Sequence, residues 1–123
     1  MATIKSYTDL SQSKVLSKIL PLESADMCWT PFDEKWDAYL GAPNPDAIKK
    51  EIPCWSLEVL LNVIPKHIKD YNVLRIDISE NDASIWYDEI GYGVNNDLPD
   101  ITMEYAVDAC VAMIEKLHEL KML

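Results

Sequence analysis

Three cysteines, two histidines and 21 carboxylates are the side chains with which this 123-residue chain could do chemistry. Zinc needs thiolates and imidazoles in closely spaced pairs. Cys28, Cys54, Cys110, His67 and His118 stand far apart, so no metal site is expected. From Asp77 to Asp88, oxygen side chains occupy the first, third, fifth and twelfth positions of a calcium loop. The position that an EF-hand reserves for glycine is Asp82, and the flanks alternate as strands do. Nucleophilic catalysis requires a Cys–His or Ser–His–Asp group to converge in space. His67 lies in a basic link after Pro65, and His118 in a last helical turn where a cation suits the dipole. The glycines are Gly41, Gly91 and Gly93, and no Lys-Ser/Thr follows Gly91-Tyr92-Gly93, so no phosphate loop is present. The expectation is no catalytic residue, no cofactor and no metal. A small-molecule binder or hydrolase with an unrecognised site is kept as an alternative, which would require a concave pocket with convergent polar groups.

Binding chemistry is better represented. Trp29, Phe32, Trp36 and Tyr39 fall in a Pro-bearing polar segment, where no periodic apolar pattern accounts for them. Trp and Tyr supply large contact area at low entropic cost and are enriched where proteins meet. The competing reading is that the segment folds back and uses them as core. Trp55 and Trp86 are expected in or at the edge of the core.

Charge is placed unevenly. Ten of the 21 acids lie between Ile76 and Glu115, a window without Lys, Arg or His, while eleven acids face eleven bases elsewhere. The whole formal charge of −10 therefore sits in one third of the chain. Phosphate backbones are bound by Lys and Arg, so direct nucleic-acid binding there is disfavoured. The acids Asp77, Glu80, Asp82, Asp88 and Glu89 join the four aromatics as the candidate interface for a protein partner. A second alternative is an inhibitor that presents these carboxylates as a mimic of DNA to a nucleic-acid-binding enzyme.

Positioning these groups falls to elements read from periodicity. Between Asp100 and Leu123, Ala106, Cys110, Met113, Ile114, Leu117 and Leu120 recur at helical spacing, with Val107 and Val111 widening the stripe. A helix over about 102–120 is expected as the core element. Asp9 and Gln12 have the form of a capping box opening a helix at about 9–20, stopped by Pro21. Ser56 caps a helix to about 64. Leu74, Ile76 and Ile78 alternate with Arg75, Asp77 and Ser79, predicting a hairpin of about 73–79 and 83–89 with one apolar face. Weaker strands are read at Met27–Thr30 and Trp36–Leu40, followed by a turn cluster at Gly41-Ala42-Pro43-Asn44-Pro45. The Lys66–Lys69 link, a bend at Gly91–Gly93 and the Val94–Pro99 loop complete the chain. The sum is an α+β fold, one small domain whose antiparallel sheet is covered on one face by helices.

A chain of this length buries a core without disulfides or metal. An odd number of widely spaced cysteines fits a reducing cytoplasm. Residues 1–12 lack the apolar stretch of a signal peptide, and no apolar run reaches a membrane span, so a cytoplasmic protein without membrane contact is expected.

Four stretches are similar to small proteins of prophages and conjugative elements of Bacteroides-type gut bacteria. They are Tyr7 to Ser13, Leu20 to Met27, Ile52 to Leu57, and Val107 to His118, about a third of the chain. Thr30 to Lys50 and the hairpin depart from that pattern. The resemblance implies a cytoplasmic accessory protein of a mobile element. It carries over no activity, cofactor or catalytic residue.

Overall fold

The computed structural model describes residues 5–32, 35–41 and 51–123. Asp9 opens α1 (Leu10–Leu16): its carboxylate accepts from the Gln12 N–H at 2.8 Å, while Gln12 Oε1 accepts from the Asp9 N–H at 3.0 Å. This is the expected capping box. The helix ends a turn before Leu20. The Ser17 hydroxyl donates to Lys14 O at 2.7 Å, and tighter i→i+3 bonds from Lys18 and Ile19 close the last turn.

Strands β1 (Met27–Phe32), β2 (Lys35–Leu40) and β3 (Ile52–Cys54) form one antiparallel sheet in the order β2-β1-β3. The first two were expected and β3 was not. Ile52-Pro53-Cys54 is too short for an alternation to register, and Pro53 weakens the local strand signal. From Ala42 on, the expected turn cluster lies outside the described residues.

Ser56 caps α2 (Leu57–Val63), its hydroxyl accepting from the Val59 N–H at 3.4 Å. Asp26 holds that cap: its carboxylate accepts from the Ser56 N–H at 2.9 Å and from the Ser56 hydroxyl at 2.5 Å. The start of the first sheet is thereby tied to the second helix.

The hairpin is present as β5 (Asn72–Ile78) and β6 (Ala83–Glu89), within a second antiparallel sheet completed by β4 (His67–Ile68), β7 (Gly93–Val94) and β8 (Ile101–Met103). β4 pairs with the start of β5, while β7 and β8 pair with opposite ends of β6. The basic link and the Gly91–Val94 bend thus each contribute a two-residue strand. The largest correction concerns Thr102 and Met103, expected as the start of the last helix and found with Ile101 as a strand. Helix α3 (Ala106–Glu119) starts at Tyr105, whose backbone is extended. The apolar stripe itself begins only at Ala106, and pairing with Ala83–Ile85 made the residues before it a strand.

Side chains at Leu74, Ile76 and Ile78 share a face with Tyr87, Ile85 and Ala83 opposite them. On that face lies α3, with Val107, Cys110, Val111, Met113, Ile114 and Leu117 buried against Ile85, Tyr87, Leu60 and Ile64. Leu120 departs from the expected stripe: as the helix's last cap residue it is exposed. Trp55 is fully buried, its Nε1 donating to Ser24 Oγ at 2.9 Å and its backbone N–H donating to Thr8 Oγ1 at 3.2 Å. The three helices and the second sheet share one core, and the first sheet adjoins it through Ala25 and Trp55, which flank β1 and β3; the whole is an α+β domain. Among the described residues no helix is long and apolar enough to cross a membrane.

Candidate interaction surfaces

The four candidate aromatics divide between two faces of the first sheet. Register places Trp29 opposite Ala38 and Trp36 opposite Pro31, so the two indoles lie on one face as diagonal neighbours. Tyr39 is opposite Cys28 and therefore faces the other way. Trp29 is half-buried, its Nε1 donating to Thr8 O at 3.2 Å and its ring meeting Tyr7 edge-on at 5.9 Å. Trp36 is half-buried, and Tyr39 and Leu40 are 49% and 86% exposed on β2. Phe32 stands in β1; its side chain lies outside the described residues. Neither the core reading nor the surface reading held for all: Trp29 anchors the amino-terminal segment, while Trp36 and Tyr39 remain accessible.

The candidate acids are likewise separated. Glu80 and Asp82 are at the β5–β6 turn, whereas Asp88 and Glu89 end β6, about 20 Å away at roughly 3.4 Å per residue. Asp77 lies exposed on the outer face. Asp88 is already engaged: it accepts from Arg75 Nε at 3.2 Å and from Trp86 Nε1 at 2.8 Å. The five candidate acids of the hairpin therefore do not form one patch.

A surface that the sequence did not single out adjoins the hairpin turn. An open cleft of about 320 Å³ lies between that turn and the amino-terminal ends of α2 and α3, lined by Lys5, Leu57, Ile78, Glu80, Asp82 and Glu104 among others. Among the described residues its one lining cation is Lys5, which donates to Asp108 at 2.6 Å and to Asp9 at 3.1 Å, so its charge is already met. Next to the cleft is a shallow apolar slot to which α2 gives Leu57 and Leu61, and β5 gives Ile76 and Ile78. Alternation marked Ile76 and Ile78 as buried, yet they are 40% and 60% exposed. The reason is that α3 packs over β6 and β8 on that face, and β4 flanks only the start of β5, so the far half of β5 lies at the margin.

The thiols are unsuited to nucleophilic work. All three cysteines are free and buried, and burial pushes each of them up, Cys110 to about 12. His67 and His118 are exposed and on different elements. Among the described residues no cluster of His, Cys, Asp and Glu could hold a metal ion.

No family model, curated protein or solved structure matches the chain.

Proposed function

We propose that this chain is a non-enzymatic interaction protein, a cytoplasmic accessory of a mobile element that engages a protein partner. The observation that carries the reading is β2. It lies at the outside of its sheet's strand order with Trp36 half-buried, Tyr39 half-exposed and Leu40 almost fully exposed. Large side chains held on a rigid strand at the edge of a sheet present contact area with little ordering cost, and a paired strand fixes their spacing. The mobile-element context rests on the resemblance of the Tyr7–Ser13, Leu20–Met27, Ile52–Leu57 and Val107–His118 stretches. The separation of the acids into two groups gives a DNA mimic less to work with than a single charged ladder would.

The test is substitution of Trp36 and Tyr39 by Ala, singly and together, followed by affinity capture from the native host. The expected outcome is an unchanged circular dichroism spectrum and loss of the captured protein. Unfolding of the double variant, or unchanged capture, would overturn the reading.

A further inference from the structure

Among the described residues, the outer edge of β5 has no neighbouring strand beyond Leu74, where β5 and α2 line one apolar slot. The Leu74 N–H donates outward to Lys66 O at 2.8 Å, whereas the Ser79 N–H donates inward to Asp82 O at 2.9 Å. By alternation, the N–H and C=O groups of Ile76 and Ile78 point outward as those of Leu74 do. Beyond Leu74, no strand among the described residues pairs with that edge. The side chains of Ile76 and Ile78 meet Leu57 and Leu61 around the apolar slot, still partly open to water. An unpaired strand edge beside half-covered apolar side chains is what strand addition uses. Main-chain bonds give affinity there, and alternate side chains fill pockets.

Charge selects the occupant. Glu80, Asp82 and Glu104 line the adjoining cleft, and Lys5 is already paired with Asp9 and Asp108. A second copy of this chain would bring its own acids to the same rim at a formal charge of −10, and like charges oppose that meeting. The geometry points to an extended segment of a partner protein, alternating aliphatic residues with Lys or Arg, which adds as a strand along Arg75–Ile78. Its aliphatic side chains lie on the inner face over Leu57, Leu61, Ile76 and Ile78; by alternation its intervening cations lie on the outer face beside Asp77, and one carried past Ile78 meets Glu80 and Asp82 at the hairpin turn. This deepens the protein-interaction reading and rests on it, at a surface separate from Trp36 and Tyr39.

The test titrates the full chain with a synthetic nine-residue peptide of alternating valine and lysine, followed by amide NMR shifts and calorimetry. Controls are a scrambled peptide of the same charge and one with a central proline. Binding is expected to saturate, with shifts centred on residues 57–61 and 75–78. Affinity is expected to fall at least tenfold for the proline peptide, for Ile78→Lys, and for Ile76→Pro, which removes an outward N–H. Ile78 is exposed, so Ile78→Lys keeps the test meaningful should the proline variant unfold. Equal binding of the scrambled or proline peptide reduces the effect to bulk charge and overturns the proposal. Absence of binding at millimolar peptide also overturns it, as does dimerisation of the free chain through the same edge. None of these outcomes bears on capture through Trp36 and Tyr39, so the two readings fail separately.

Discussion

The Lys5 ammonium donates to the Asp108 carboxylate at 2.6 Å, joining groups 103 residues apart in sequence. Asp108 also accepts from Gln12 Nε2 at 2.7 Å, so one carboxylate in the first turn of α3 fastens both the amino-terminal segment and α1. Each partner is about a fifth exposed, which places the pair between a surface ion pair and a buried one. Asp108→Ala is expected to cost about 1–2 kcal/mol, at the lower end for bonds to a charged group because of that exposure. Urea unfolding of the variant measures it, and an unchanged midpoint would refute the role.

The same corner sets a pH window. For Asp9, burial acts upward, but the Gln12 amide and Lys5 outweigh it and hold the carboxyl below its ordinary 3.8. For Lys5, burial acts downward, yet the bonds to Asp108 and Asp9 outweigh it and hold the ammonium above its ordinary 10.5. A depressed acid contributes stability above 3.8 that is lost as pH falls through its folded value, and a raised base contributes below 10.5 until pH passes its folded value. Amide exchange of residues 5–12, corrected for its intrinsic pH dependence, should therefore show protection that weakens only at the acid and alkaline extremes. A loss of protection near pH 6, where neither group changes charge, would contradict this assignment.

Lys121 follows α3 with φ of 59°, and the Met122 N–H bonds back to Leu117 O at 2.8 Å. This is the six-to-one bond of a Schellman cap, whose left-handed residue is usually glycine because a Cβ there meets the following carbonyl. Lys121→Gly is expected to raise stability by about 0.5–1 kcal/mol, the relief of strain exceeding the added freedom of the unfolded chain. Thermal unfolding of the two proteins decides it, and a lower midpoint for the glycine variant would show that the cap is unstrained.

Burial governs the thiols. Cys28, Cys54 and Cys110 are each pushed up by removal from water, so at pH 8 the reactive thiolate is scarce as well as shielded. All three should react with a thiol reagent only after unfolding in guanidinium. A native cysteine that reacts at the rate of a free thiol would show that its part of the core opens.

Local signals were legible where each depends on neighbours in sequence. The Asp9 and Ser56 caps, the Leu57–Val63 helix and the Asn72–Glu89 hairpin follow from residue type and spacing, because the groups that satisfy one another lie within a few residues. The expected helix start lies about four residues early because a three-residue strand is too short for an alternation to register, and only pairing with Ala83–Ile85 made Ile101–Met103 a strand. The slot beside Ile76 and Ile78 was invisible for a related reason. Alternation says which face a side chain takes, and where the helices pack across the sheet says whether that face is covered.

By itself, the sequence determined the α+β class, the helical core element around Met113 and Leu117, and the concentration of negative charge after Ile76. These are properties of composition and of periods two and 3.6. Only the tertiary structure decided that the strands form two sheets, that Trp36 and Tyr39 lie on opposite faces, and that the acids fall into separate groups. Among the described residues it also left the outer edge of β5 without a strand partner beyond Leu74. Those outcomes depend on contacts between segments tens of residues apart, whose free energies come from burial and strand pairing that no local window contains.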